Sequence, residues 1–231
     1  MFQPDSKVQW RKIQSVGLCP GIVSFEQYTM LYTEQFAAAL AESRRVALLV
    51  PLPDEIQTFH RLIFRNVHPW AGDFRGPGES VVFDGDRSGA DYHRINPALL
   101  ELRKEFSGKL NKIESPETQA WEIARYLGAL RSIHPFRDGN TRTAVVILEG
   151  QISAVFGDME RPPLANLNFK QLLRQAYIGN PADLANLILT REGIPGKIEK
   201  RSAAIHPKLD ADLETEWRQH REEIHKKQKK N

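Results

Sequence analysis

An imidazole, a carboxylate and two guanidiniums fall in one unbroken run, Ile133-His134-Pro135-Phe136-Arg137-Asp138-Gly139-Asn140-Thr141-Arg142. Histidine is the usual side chain for removing a hydroxyl proton near neutral pH. A carboxylate beside a phosphate repels it unless a cation lies between, so Asp138 makes sense as a ligand of Mg2+ that also binds phosphate oxygens. Gly139-Asn140 marks the entrance to a helix, whose first backbone N–H groups have no intrahelical partners. With Arg142 in its first turn, such a terminus is a ready anion site. A base, a metal ligand, an amide cradle and an arginine together point to phosphoryl or nucleotidyl transfer.

Two helices must hold this run in place. Before it, Pro116 to about Ile133 carries Ala120, Ile123, Ala124, Leu127 and Leu130 at a spacing that buries one stripe. Ser115 is a good N-cap, with proline at the first helical position. Pro135 cannot continue that helix, so His134 sits at the break. After the run, Thr143 to Phe156 is apolar nearly all round, which predicts a central buried helix ended by Gly157.

The run resembles the signature loop of the Fic family, H-x-F-x-[D/E]-G-N-G-R-x-x-R. His134, Phe136, Asp138, Gly139, Asn140 and Arg142 match, six of the eight fixed positions. Trp70-Ala71-Gly72-Asp73-Phe74-Arg75 looks like a second, weaker signature of the same family. The resemblance spans roughly Asp54 to Leu189. It implies an all-α Fic fold, a helical bundle with a central motif helix and a small β-hairpin flap. It also implies Mg2+-dependent transfer of a nucleotide monophosphate, AMP from ATP in the common case, to a Tyr, Thr or Ser hydroxyl of a target protein. In that reading His134 activates the hydroxyl and Asp138 holds the metal. Gly139, Asn140 and Thr141 line the anion cradle, Asn140 also through its side-chain amide. Arg142 steadies the β-phosphate, Arg137 adds a weaker phosphate contact and Phe136 anchors the loop.

Two positions depart from the pattern. Thr141 stands where the family usually has a second glycine. Val145 stands where it has a second arginine, the one that contacts the terminal phosphate. Relatives transfer other nucleotides, phosphate or phosphocholine, and the one that transfers phosphate has lysine where Thr141 stands. Many family members are restrained by a glutamate in [S/T]-x-x-x-E-[G/N] that pairs with the last arginine of the loop. That motif and its partner arginine are both absent here, which leaves room for a separate small inhibitory protein.

The remaining chain divides into a helical extension at 1–52, a Fic domain at 53–195 and a charged tail at 196–231. Ser24 with Gln27 reads as a capping box for a helix bearing Tyr28, Leu31, Tyr32, Gln35, Phe36, Ala39 and Leu40. That aromatic stripe reads as core, and Trp10 and Ile13 as one short amphipathic turn. Val46–Val50 suits a strand or a helix turn. Asp54 caps a helix with Ile56, Phe59, Leu62, Ile63 and Val67 inside; His60 and His68, two turns apart, read as surface or core-edge imidazoles. Glu79–Phe83 predicts a strand and Asp84-Gly85-Asp86 a turn. The implied flap, Val81, Val82 and Phe83, is suited to clamping an extended target segment through backbone bonds. Asn96-Pro97, Asn168 and Asn180-Pro181 each predict a helix start, and Arg161-Pro162-Pro163 a break.

At 231 residues, with 41% hydrophobic and 26% charged, the composition is that of a globular protein. No apolar run approaches a membrane span, and the start lacks the pattern of a signal peptide. The single cysteine, Cys19, excludes an internal disulfide and suits a reducing compartment, so a cytoplasmic location without membrane contact is expected. The net charge of +3 is too small to argue for nucleic acid. It matches the excess of 10 Lys and Arg over 7 Asp and Glu in Lys197–Asn231, a segment that reads as a solvated helix.

Overall fold

The computed structural model describes residues 6–79, 81–83, 87–112, 115–157 and 168–199. Eight helices and one two-stranded sheet lie among them. They are α1 (Ser6–Ser15), α2 (Phe25–Val46), α3 (Pro53–Phe64), β1 (Val82–Phe83), β2 (Arg87–Ser88), α4 (Tyr92–Leu110), α5 (Pro116–Ile133), α6 (Asn140–Phe156), α7 (Phe169–Tyr177) and α8 (Ala182–Arg191). The architecture is the all-α bundle that the resemblance implies.

α6 is the central helix. Its residues from Thr143 to Ile152 are all buried, and α2, α3 and α5 pack around it. Such a helix has no solvated face and must meet its neighbours on every side. Close approaches tighten the bundle both at α6 and between α5 and α7. A side chain on Gly150 would run into Ser43 of α2, and one on Gly128 of α5 would run into the backbone of Ala176 in α7. The contact of α6 with α2 and the segment that follows it is also polar: Ser43 donates to the Val146 carbonyl, Ser153 to the Arg44 carbonyl at 3.0 Å, and Gln151 to the Leu49 carbonyl beyond α2 at 2.7 Å. α5 and α6 are joined by the loop 134–139, so the bundle fixes that loop from both ends.

Several boundaries differ from the sequence expectation. α4 begins at Tyr92, not at Asn96, and carries Pro97 inside it. α3 begins with Pro53 at its first position, so Leu52 and not Asp54 is the cap; leucine has no side-chain acceptor for the first turn, and Glu55 satisfies the Leu52 N–H in return. α2 ends at Val46 and Ala47 turns left-handed, so Val46–Val50 is a helix end and a connection, not a strand. Trp10 belongs to a ten-residue helix and packs edge-on against Phe25 and Tyr28. The strand expected at Glu79–Phe83 pairs only over Val82–Phe83, antiparallel to Arg87–Ser88. The turn at 84–86, the break at 161–163 and the tail from 200 onward lie outside the described residues. Among the described residues no helix is long and apolar enough to cross a membrane.

Candidate active site

The last carbonyls of a helix have no partners within it and need donors from elsewhere. At the end of α5 those donors come from Arg75. Its Nε donates to the His134 carbonyl at 2.8 Å and its Nη2 to the carbonyls of Ala90 at 2.6 Å and Ile133 at 3.4 Å. Nη1 reaches the Glu79 carbonyl at 2.9 Å, and the Arg75 backbone N–H donates to the Pro135 carbonyl at 2.9 Å. A cation at a helix C-terminus is also favoured by the helix dipole. The side chain is buried, and that burial pulls its pKa down against the upward pull of Asp91 and Glu79. Arg75 is therefore the knot between α5, the loop and the segments on either side of the hairpin, which gives a physical reason for the Trp70–Arg75 block. Arg75→Ala should lower stability by roughly 2–4 kcal/mol, because several buried carbonyls lose charged donors. Urea titration checks this; Arg75→Lys should not restore the wild-type midpoint, since one ammonium lacks the planar fork.

Capped in this way, His134 leaves α5 in the left-handed conformation, φ 48° and ψ 60°. Gly89, just beyond β2, passes directly against it: a side chain there would meet the Arg75 guanidinium and the His134 Cβ. The imidazole is held neutral, its pKa lowered to about 3 by burial first and then by the cations of Arg131 and Arg75. The ring is therefore unprotonated at neutral pH.

The loop is braced from beneath by His60. The Gly72 N–H donates to His60 Nδ1 at 2.9 Å, so Nδ1 is the acceptor and Nε2 carries the proton. Nε2–H then donates to the Asp138 carbonyl at 3.1 Å. The ring stacks on Phe136 with centroids 3.8 Å apart, and burial holds its pKa down to about 3. His68 stacks on Trp70 at 4.4 Å and donates from Nδ1 to the Gly17 carbonyl at 2.6 Å. Neither is the surface or core-edge imidazole expected from sequence: His60 is 0% exposed and His68 1%. The missed signal was spacing, because His60 lies four residues from both Ile56 and Phe64 and so shares their buried stripe.

Phe136 is fully buried, as an anchor should be. Asn140 spends its side-chain amide on it, accepting the Phe136 N–H at 3.0 Å and donating to the Phe136 carbonyl at 2.8 Å. That leaves the backbone amides of the α6 N-terminus to face an anion. Gly139 has φ 80°, and a side chain there would overlap the Phe64 ring. Both the conformation and the space call for glycine.

Asp138 and Arg142 form the charged end of the loop. Arg142 Nη2 lies 2.6 Å from Asp138 Oδ2, and Nη1 donates to the Tyr28 hydroxyl at 2.8 Å. The guanidinium also lies over two rings, 4.5 Å from the Phe64 centroid and 5.1 Å from that of Tyr32. Tyr28 and Tyr32 were expected to be core only; they do pack, but they also form a platform for Arg142. Burial pushes the Asp138 carboxyl up, yet Arg142 and the Gly139 N–H outweigh it and hold it below the usual carboxylate range. Asp138 is thus ionised, with 36% of its side chain exposed. Among the described residues no group of three His, Cys, Asp or Glu could hold a metal alone. A single accessible carboxylate does fit Mg2+, which keeps several waters and takes most of its remaining ligands from phosphates.

The other expected site residues are placed as follows. Arg137 pairs with Glu79 at 2.7 Å and lies over Trp70. Thr141 Oγ1 accepts from Arg131 at 3.4 Å. Val145 is 4% exposed and packed in the core, one turn into α6. The Val81 carbonyl accepts the Gly89 N–H at 3.1 Å, and Val82 and Phe83 lie in β1; the side chains of these two are outside the described residues. His134, Asp138, Gly139, Asn140, Thr141 and Arg142 thus gather at the N-terminus of α6, with the hairpin alongside.

Residues 51–151 match the family model described as Fic/DOC family. The chain contains a Fic/DOC family domain. Beyond it, the chain is 27% identical over 133 residues to the probable protein adenylyltransferase y4lH of Sinorhizobium fredii, an alignment covering 56% of this chain and 67% of that protein. It is 24% identical over 176 residues to the protein adenylyltransferase VbhT of Bartonella schoenbuchensis, covering 72% of this chain but only 35% of that one. The Fic fold is also that of BepC from Bartonella tribocorum, solved with bound AMPPNP (TM-score 0.61, 19% identity, covering 79% of this chain and 92% of that one). A further match is the N-terminal Fic domain of a Bartonella quintana effector with bound ADP (TM-score 0.58, 21% identity, 77% and 88% covered). The Fic domain is linked through its relatives to transfer of nucleotides onto proteins.

Proposed function

We propose that this Fic domain transfers AMP from ATP to a hydroxyl side chain of a target protein, with Mg2+ as cofactor. The observation that carries the reading is the grouping of a neutral imidazole, an ionised and accessible carboxylate and an arginine at the N-terminus of α6. Two relatives bear the name protein adenylyltransferase, and two Fic-fold structures hold AMPPNP or ADP.

In the reaction the target hydroxyl oxygen forms a bond to the α-phosphorus, and the bond from that phosphorus to the bridging oxygen breaks. Pyrophosphate leaves, and the hydroxyl proton passes to the His134 imidazole. The bound metal would neutralise charge on the phosphate oxygens. Asp138 would hold it. The α6 amides and Arg142 receive the anion, Arg142 at the β-phosphate. The edge of the hairpin at Val81, Val82 and Phe83 takes the extended target segment by backbone pairing. Arg137, held by Glu79, stays at the rim.

Incubating the protein and a cell extract with ATP, GTP, UTP and CTP, each labelled at the α-phosphate, tests the donor. Label from ATP should enter protein; label from another nucleotide alone would reassign it. Asp138→Ala should abolish the Mg2+ dependence of ATP binding, since the carboxylate's purpose is to join cation and phosphates. Calorimetry with and without Mg2+ reads this, and an unchanged metal response would move the ligand elsewhere.

A further inference from the structure

We infer that Tyr28 is a positioning residue for Arg142, and that α2 forms one wall of the phosphate end of the site. The inference rests on the AMP-transfer reading but adds a residue from outside the matched family segment, which begins at residue 51.

An arginine at the first turn of a helix ordinarily ranges over many rotamers, and a group that must meet a phosphate gains by being held beforehand. Here the guanidinium is fixed by four contacts from two helices and the loop. Its Nη1 donates to the Tyr28 hydroxyl at 2.8 Å, and its Nη2 to Asp138 at 2.6 Å. Its planar group lies over the Tyr32 ring on one helix and the Phe64 ring on another. Two of the four contacts come from α2. Tyr28 is itself well seated, 5% exposed, stacked near Tyr32 and Phe25 and edge-on to Trp10 and His68.

The Tyr28 hydroxyl has a specific consequence for Asp138. The carboxylate and the guanidinium attract each other, and a carboxylate fully claimed by arginine is a poorer metal ligand. A second acceptor on Arg142 shares the cation's hydrogen bonds between α2 and the loop. The hydroxyl thereby sets how far Arg142 leans onto Asp138. Removing it should weaken both the phosphate contact and the metal response.

α2 is not loosely attached. Arg44 reaches Glu149 of α6, and Ser43 reaches the Val146 carbonyl. The wall is therefore tied to the central helix.

Tyr28→Phe removes one oxygen and keeps the ring, so folding is expected to survive, with a melting temperature within about 2 °C of wild type. Calorimetry on the full chain should show ATP affinity in the presence of Mg2+ reduced by about tenfold, the usual worth of a hydrogen bond to a charged group. The Mg2+ concentration needed for half-maximal binding should rise. In an Arg142→Ala background, adding Tyr28→Phe should change neither quantity, because the hydroxyl acts only through the guanidinium. An equal loss in both backgrounds would make Tyr28 a packing residue and overturn the inference. Unchanged affinity and metal response in Tyr28→Phe, with wild type binding ATP normally, would also overturn it while leaving the AMP-transfer reading intact. Absence of ATP binding by wild type itself would remove both.

Discussion

Replacing His134 by alanine should lower the proposed AMP transfer by about two to four orders of magnitude, the usual contribution of a positioned general base. ATP affinity should change little, because the imidazole serves the incoming hydroxyl and not the phosphates. Alanine also suits the position poorly, since residue 134 sits at φ 48°. A melting curve must therefore accompany the rate, and His134→Asn, which tolerates that conformation better, separates lost chemistry from lost structure. The pH profile adds a sign. The His134 pKa lies near 3, against an ordinary value of 6.5, so the ring stays in its basic form as pH falls through 6.5. Free-enzyme kcat/KM should show no acid limb near 6.5 from this residue. Stability behaves differently. The unfolded chain protonates this histidine and His60 near 6.5, while the folded chain resists until about 3. Stability from these two groups is complete above 6.5 and is lost progressively as pH falls from there toward 3.

Glu149→Ala should cost about 3–5 kcal/mol, the price of breaking a buried ion pair from one side. Glu149 is 1% exposed, on the central helix. Its Oε2 accepts from Arg44 of α2 at 2.8 Å and from Arg191 of α8 at 2.9 Å. Alanine would leave two mostly buried guanidiniums beside a small cavity. Whole-domain stabilities run to only about 5–15 kcal/mol, so the urea midpoint should drop by a large fraction. Glu149→Gln keeps one acceptor and should fall between. A shift below about 1 kcal/mol would mean that solvent takes over both arginines without loss.

The site was legible in sequence where it is local. The loop residues are consecutive, so their types and order alone placed a base, a carboxylate and a helix N-terminus side by side. Phe136 was expected as an anchor through the resemblance, and it is fully buried. What sequence could not supply was contact across the bundle. Tyr28 and Arg142 are 114 positions apart, and nothing in an amphipathic stripe says that one hydroxyl on it meets a guanidinium. Arg75 read only as part of a short block; its role appears when the carbonyls of Ile133 and His134 converge on it. Glu149 was hidden because its helix is apolar nearly all round, and the partners that permit its burial come from α2 and α8. The start of α4 was misplaced because Asn96-Pro97 has the look of a cap, while the helix begins a turn earlier and carries the proline within it.

The most direct test is the mass of the group found on a modified target. The protein is incubated with ATP, Mg2+ and cell extract, and peptides that gain mass only with wild type, not with His134→Ala, are fragmented. The account predicts an adenylyl group on a tyrosine, threonine or serine oxygen, with pyrophosphate released in equal amount. A phosphate on that oxygen, or ATP binding with no modified peptide at all, would contradict it.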